Sequence, residues 1–228
     1  MDTAGFGQAL SVWLLPILLA ITLHEAAHGW MANRLGDDTA LRLGRVTFNP
    51  LKHIDPVGTI MVPGVLLILG APFLFGWAKP VPVNFGRLRH PKRDMIWVAL
   101  AGPVTNVLLA FIAALLIHVI VYLPETVGWW ALENLANAVQ INLVLAVFNM
   151  LPLPPLDGGR VVTGLLPYPY AGRFATLERY GFIILLSFLL LGPYVAQAFG
   201  MGVHPLVLLI GPPYEVLVNL ISTLAGLR

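Results

Sequence analysis

Cysteine is absent from this 228-residue chain, which excludes disulfides and thiolate metal ligands, so any bound metal must be held by His and carboxylate. Charge is scarce as well. Only 11% of residues are Asp, Glu, Lys or Arg, against about 25% in soluble domains. With 58% apolar residues and a mean hydropathy of +0.83, the chain reads as an integral membrane protein. No polar block the size of a soluble module interrupts the apolar runs, and there is no internal repeat or low-complexity tract. Residues 1–228 are therefore expected to form one domain. The net charge of +2 is too small to suggest a nucleic-acid partner. Met1 to Gly5 contain no Lys or Arg, so the apolar run that follows lacks the basic start of a secretory signal and is expected to be retained.

That run, beginning near Ala9, ends in His24-Glu25-Ala26-Ala27-His28. On a helix, residues i and i+4 share a face, so His24 and His28 can offer two imidazole nitrogens to one metal ion. Glu25 lies beside them, where a carboxylate can take a proton from an activated water. Three polar side chains in an apolar helix are costly without a partner, and a metal supplies one. Two core histidines paired by chance are the plainer alternative, and the spacing together with the intervening Glu argues against it.

The first helix is expected from about 7 to 33, bent at Pro16 and ended by Gly36-Asp37-Asp38. His24 then lies roughly 25 Å along it, near the far side of a hydrocarbon layer about 30 Å thick. Residues 40–48 show a broken period-two pattern compatible with a short strand or hairpin. Asn49-Pro50 and Asp55-Pro56 signal turns. His53 and Asp55 there are candidates to support a metal, but a turn whose polar side chains bond its own backbone is the preferred reading. The apolar run over 58–78 is short and interrupted by Pro63, Gly64, Gly70 and Pro72. It leads into a proline-rich extended stretch, Trp77 to Asn84. Further spans are expected over 94–123, 132–151, 180–199 and 205–224.

The thirteen Lys and Arg fall only in 34–52, 79–93, 160–179 and at Arg228. If 58–78 enters and leaves on one side, all of them lie on one face of the membrane, which the positive-inside bias identifies as the cytoplasm. The expected fold is thus an all-α polytopic membrane protein with about five transmembrane helices, a re-entrant segment and a short strand or hairpin near the active site. The N-terminus lies outside and the C-terminus inside. This parity also puts Asp157 on the same side as His24 and His28.

A hydrolytic zinc needs three protein ligands and an open position. Asp157 and Glu215 are the main intramembrane candidates for the third. Asp157 is preferred, because Pro154-Pro155 and Gly158-Gly159 around it free a short carboxylate to be aimed. Glu215, after Pro212-Pro213, suits a helix start without any metal. His118 and His204 read as structural or interfacial, and His90 as part of a solvated basic loop. Small residues Ala101, Gly102 and Thr105 let helices approach, and Asn106 beside them reads as an inter-helix packing contact ahead of a substrate contact.

Taken together, H-E-x-x-H in the first apolar helix, A-G-P-x-x-N (101–106) in a middle span and N-x-x-P-x-P-x-L-D-G-G-R (149–160) resemble the site-2 protease family. Its members are intramembrane zinc metalloproteases that cut transmembrane segments of other proteins. The resemblance runs from about residue 8 to 166, a catalytic core followed by C-terminal helices at about 180–225. It implies one zinc held by His24, His28 and Asp157, Glu25 as catalytic base, and Asn149 as the asparagine that contacts substrate backbone. The N-P-L-K-H-I-D-P and G-W-A-K-P-V-P-V-N stretches are similar to the compact prokaryotic branch without a PDZ domain. That branch implies a prokaryotic cell membrane, the lipid bilayer as surroundings and a transmembrane protein as substrate. The rival reading of the same residues is a metal-ion or proton transporter.

Overall fold

The computed structural model describes residues 3–68 and 76–227. The chain enters on a single helix, α1 (Thr3–Arg34), which runs through Pro16. Its end is a glycine stop. Gly36 adopts φ 114°, and Asp37 N–H reaches back to Ala32 O at 2.9 Å, the Schellman arrangement that only a residue free of Cβ accepts cheaply. The carboxylate of Asp37, itself fully buried, accepts from Thr39 N–H (3.1 Å), from the Thr39 hydroxyl and from Asn84 N–H (2.6 Å). Burial works against its charge, but the Thr39 and Asn84 donors and nearby Arg87 together hold the carboxyl below the usual carboxylate range. The end of α1 is thereby tied to residue 84.

The remaining long helices are α2 (Pro91–Leu116), α3 (Glu125–Asn149), the short α4 (Asp157–Leu165), α5 (Glu178–Ala198) and α6 (Pro205–Leu224). Pro91 opens α2 at a position where a missing N–H costs nothing, and a 3₁₀ turn, Ile117–Tyr122, extends its far end. Five of these helices, all but α4, are long and apolar enough to cross a membrane. Helix α3 begins at Glu125, seven residues ahead of its expected start, because the connection from the 3₁₀ turn is only Leu123-Pro124.

Helices α1, α2 and α3 pack on one another and α4 lies on α2. Small side chains make this possible: Ala20, Ala99, Ala101, Ala110, Ala114 and Ala146 are all buried. Larger residues such as Leu10, Leu14, Leu108 and Ile112 face outward, about half exposed. Helix α6 joins the core through Ile221, which packs with Ala110, Ala114 and Leu143.

Two expectations change. The strand or hairpin over 40–48 is not formed, and there is no strand among the described residues. Thr39–Arg42 is a turn of helix started under the Asp37 carboxylate. A second glycine stop ends it, with Gly44 at φ 61° and Arg45 N–H bonded to Ala40 O at 2.9 Å. Leu41 and Leu43, the apolar half of the alternation, are both exposed, and Ala40 is the residue that packs inward. A broken alternation over 41–46 cannot outweigh the Asp37 turn and the glycine stop on either side of this helical turn. The re-entrant segment over 58–78 gains no support either. Its described part is a π-helical stretch, Pro56–Met61, running into Val62–Ile68, too short to cross, and residues 69–75 lie outside the described residues.

Candidate metal centre

His24 and His28 sit one turn apart on α1, and Asp157 is the first residue of α4. The approach to Asp157 is set by glycines. A methyl group on Gly158 would lie 2.2 Å from Met150 O, and one on Gly159 would lie 2.4 Å from Pro154 N, so the 150–156 loop folds tightly against the start of α4. All three functional side chains are buried, 5–6% exposed.

A chain of buried amides fixes where the protons sit. Asn106 Nδ2, on α2, donates to Ala20 O (3.2 Å) and to Asn142 Oδ1 (2.7 Å), and Asn142 Nδ2 donates to Ala138 O (2.8 Å). The amide oxygen of Asn106 is therefore what meets His24 Nδ1, at 2.5 Å, so that nitrogen carries the proton. His28 Nδ1 donates likewise to Val98 O, at 2.7 Å. Each neutral ring has one N–H, so both Nε2 atoms keep a lone pair. Those two atoms are 3.0 Å apart and lie 3.2 and 3.3 Å from Asp157 Oδ2, which has no hydrogen-bond donor of its own. One proton could satisfy a single pair among these electron-rich atoms, whereas a divalent cation takes all three at once. The donors fit a metal, and their type, two imidazoles and a carboxylate with no thiolate, fits zinc.

Beside them opens a cavity of about 430 Å³, lined by Glu25, Trp77, Val81, Asn149 and Phe182 among others. Glu25 stands outside the trio, with Oε2 accepting from Val81 N–H at 2.7 Å. Asn149 reaches the cavity wall while Nδ2 donates to Leu145 O at 3.0 Å. His53 and Asp55 lie apart from the donor group. Asp55 Oδ1 caps Val57 and Gly58 N–H at 3.0 and 2.7 Å, and His53 Nε2 lies 3.2 Å from Thr47 O. Among the described residues His24, His28 and Asp157 are the group able to hold an ion, and Glu215 is not part of it. His118 and His204 bond to the Ala225 and Leu189 carbonyls.

A model of peptidase family M50 matches residues 120–192, the part of the chain that contains Asn149 and Asp157. Across 188 residues the chain is 41% identical to YwhC of Bacillus subtilis, named as a zinc metalloprotease, and the match covers 80% of this chain and 82% of that protein. The chain belongs to peptidase family M50. Two further relatives named as zinc metalloproteases are more distant. Rip2 of Mycolicibacterium smegmatis is 28% identical over 192 residues, 83% of this chain and 71% of its own length. MJ0611 of Methanocaldococcus jannaschii is 36% identical over 91 residues, 40% of this chain and 44% of its own. No solved structure matches the chain.

One contact of this M50 chain lies beyond side-chain pattern reading. Gly102 reads in the sequence as a helix-packing residue, but it faces the two rings. A methyl there would lie 2.5 Å from His24 Cε1 and His28 Nε2 and 2.6 Å from His24 Nε2. Gly102→Ala is therefore expected to leave the spans folded while displacing both imidazoles. Zinc bound per chain should fall at least about tenfold under a competing chelator, a loss comparable to removing a supporting contact at a metal site. Metal analysis of the purified variant checks this, and full zinc retention would mean that the rings tolerate the shift.

Proposed function

We propose that this chain is a zinc metallopeptidase that hydrolyses peptide bonds within or next to the transmembrane segments of membrane-protein substrates. Membership of family M50 supports the peptidase class, and five apolar helices support action in a membrane. The observation that carries the reading is the convergence of two unprotonated Nε2 atoms and one undonated carboxylate oxygen in a buried site.

In this reading His24, His28 and Asp157 hold one zinc. Zinc, when bound, brings the pKa of a water to about 7 and polarises a carbonyl oxygen. Glu25, on the cavity wall, accepts the proton of the attacking water and returns it to the leaving amine. Asn149 offers its amide to the backbone of an unwound substrate stretch, since a helical substrate hides its carbonyls in internal bonds. The amides of Asn106 and Asn142 keep the His24 ring in the orientation and tautomer that leave Nε2 free. The whole chain acts as a single intramembrane domain.

Five crossings set the orientation we propose. With α1, α2, α3, α5 and α6 each spanning and the short 56–68 stretch not crossing, the twelve Lys and Arg among the described residues fall on one side, taken as the cytoplasm of a prokaryotic cell. The N-terminus is then outside, and the site, near the inner end of α1, opens toward the cytoplasm, a short path for water.

The test is cleavage of a model transmembrane peptide by purified protein in detergent. The account expects cuts within the apolar stretch, their loss on chelation and their return with zinc. Zinc flux into sealed vesicles without cleavage would favour a transporter instead.

A further inference from the structure

We propose that residues 77–84 form a strap that positions Glu25 through one backbone donor, the N–H of Val81, and that Arg45 is the positioning residue that holds the strap for this task. The proposal rests on the assignment of Glu25 as general base.

The sequence of the strap leaves little choice of donor. Pro80 and Pro82 have no N–H, so Val81 supplies the one backbone donor in Pro80-Val81-Pro82. Val81 is buried, and its N–H goes to Glu25 Oε2 at 2.7 Å. The flanking prolines restrict the backbone to extended conformations before any contact forms, so little freedom is lost in presenting that N–H.

The strap is tied down along its length. Trp77 N–H bonds Gly58 O at 3.1 Å, and Lys79 N–H bonds His53 O at 2.9 Å. The Thr59 hydroxyl donates to Trp77 O at 2.9 Å, and Asn84 N–H meets the Asp37 carboxylate. The strongest tie is the least ordinary. Arg45, 8% exposed, directs Nη2 to Lys79 O (2.8 Å) and Pro80 O (3.4 Å), and none of the ion pairs among the described residues includes it. A buried guanidinium committed to two carbonyls just before Val81 fixes the position of the next N–H. A role therefore falls to Arg45 and to the turn at 53–59, which stand apart from the metal donors.

For Glu25 the consequence is geometric. With Oε2 held by the strap, Oε1 is left to meet the attacking water in the cavity, and rotation of the carboxylate about its stem is restrained. Misplacing a reacting group by about 1 Å costs on the order of 100-fold in rate. Loss of the strap contact should appear in kcat, because neither zinc nor substrate is bound by it.

The experiment compares zinc-loaded full-length variants on a model transmembrane peptide. Val81→Pro deletes the N–H in a backbone already extended, and Val81→Ala, which trims the same side chain but keeps the N–H, is its reference. We expect kcat of Val81→Pro to lie about 10- to 100-fold below that of Val81→Ala, with KM within about twofold and zinc per chain equal. Equal kcat for the two variants overturns the proposal. If Val81→Pro does not hold zinc, Arg45→Leu decides: kcat reduced about tenfold at unchanged zinc and KM supports the strap, and unchanged kcat overturns it. Glu25→Gln is run in parallel. An active Glu25→Gln protein removes the general-base reading itself, whereas an inactive one beside a fully active Val81→Pro removes only the strap.

Discussion

Glu25→Gln is expected to bind one zinc per chain, to unfold at the wild-type temperature, and to cleave a transmembrane peptide about 100- to 10,000-fold more slowly, the range ascribed to a positioned general base. The substitution is close to isosteric. Its amide oxygen can still accept from Val81 N–H, so the strap contact survives. The carboxylate is not one of the three converging donors, so the site keeps its ligands. What disappears is the ability to take up a proton. The decisive pairing is therefore full zinc content with lost turnover. Turnover at the wild-type rate would take the base role from Glu25, and loss of zinc would make Glu25 a ligand.

Asp157→Ala has an effect as large by a different route. Two imidazoles on one turn of helix remain, but the third donor and its negative charge are gone. Zinc affinity should fall by more than about 100-fold, beyond the loss usual for a supporting residue, and cleavage should fall below detection. The fold should persist, because removal of a buried carboxylate oxygen that lacks any donor relieves an unsatisfied group. A well-folded, zinc-poor, inactive protein is the expected result, measured by metal analysis beside thermal unfolding. A zinc-loaded, active Asp157→Ala protein would send the search for the third ligand to Glu215, the other acid considered for that place.

The candidate spans, and the three side chains that the fold brings together, were legible in the sequence for a physical reason. A bilayer forces long apolar runs, and polar side chains placed within them stand out against that background. Asp157 was readable because prolines and glycines on both sides announce a loop able to aim a short side chain. The helix at Thr39–Arg42 was misread as strand because its start and stop depend on the Asp37 side chain and on the left-handed conformation of Gly44, neither of which enters a count of alternating residues. For Asn106 the sequence leaves open packing or support of a metal ligand. Its contact with His24 spans 82 positions and depends on how α1 and α2 lie together. Gly102 and Val81 act through a missing methyl and a backbone N–H, and a side-chain pattern records neither.

Catalysis of the proposed kind requires one ion shared by two rings and a carboxylate. X-ray absorption at the zinc edge of the purified, zinc-loaded protein tests this most directly. The prediction is one zinc per chain with two imidazoles at about 2.0–2.1 Å, the rest of the shell oxygen at about 2.0–2.2 Å, and a spectrum that loses one imidazole in His28→Ala. A shell with three or more imidazoles, or one unchanged in His28→Ala, would contradict it.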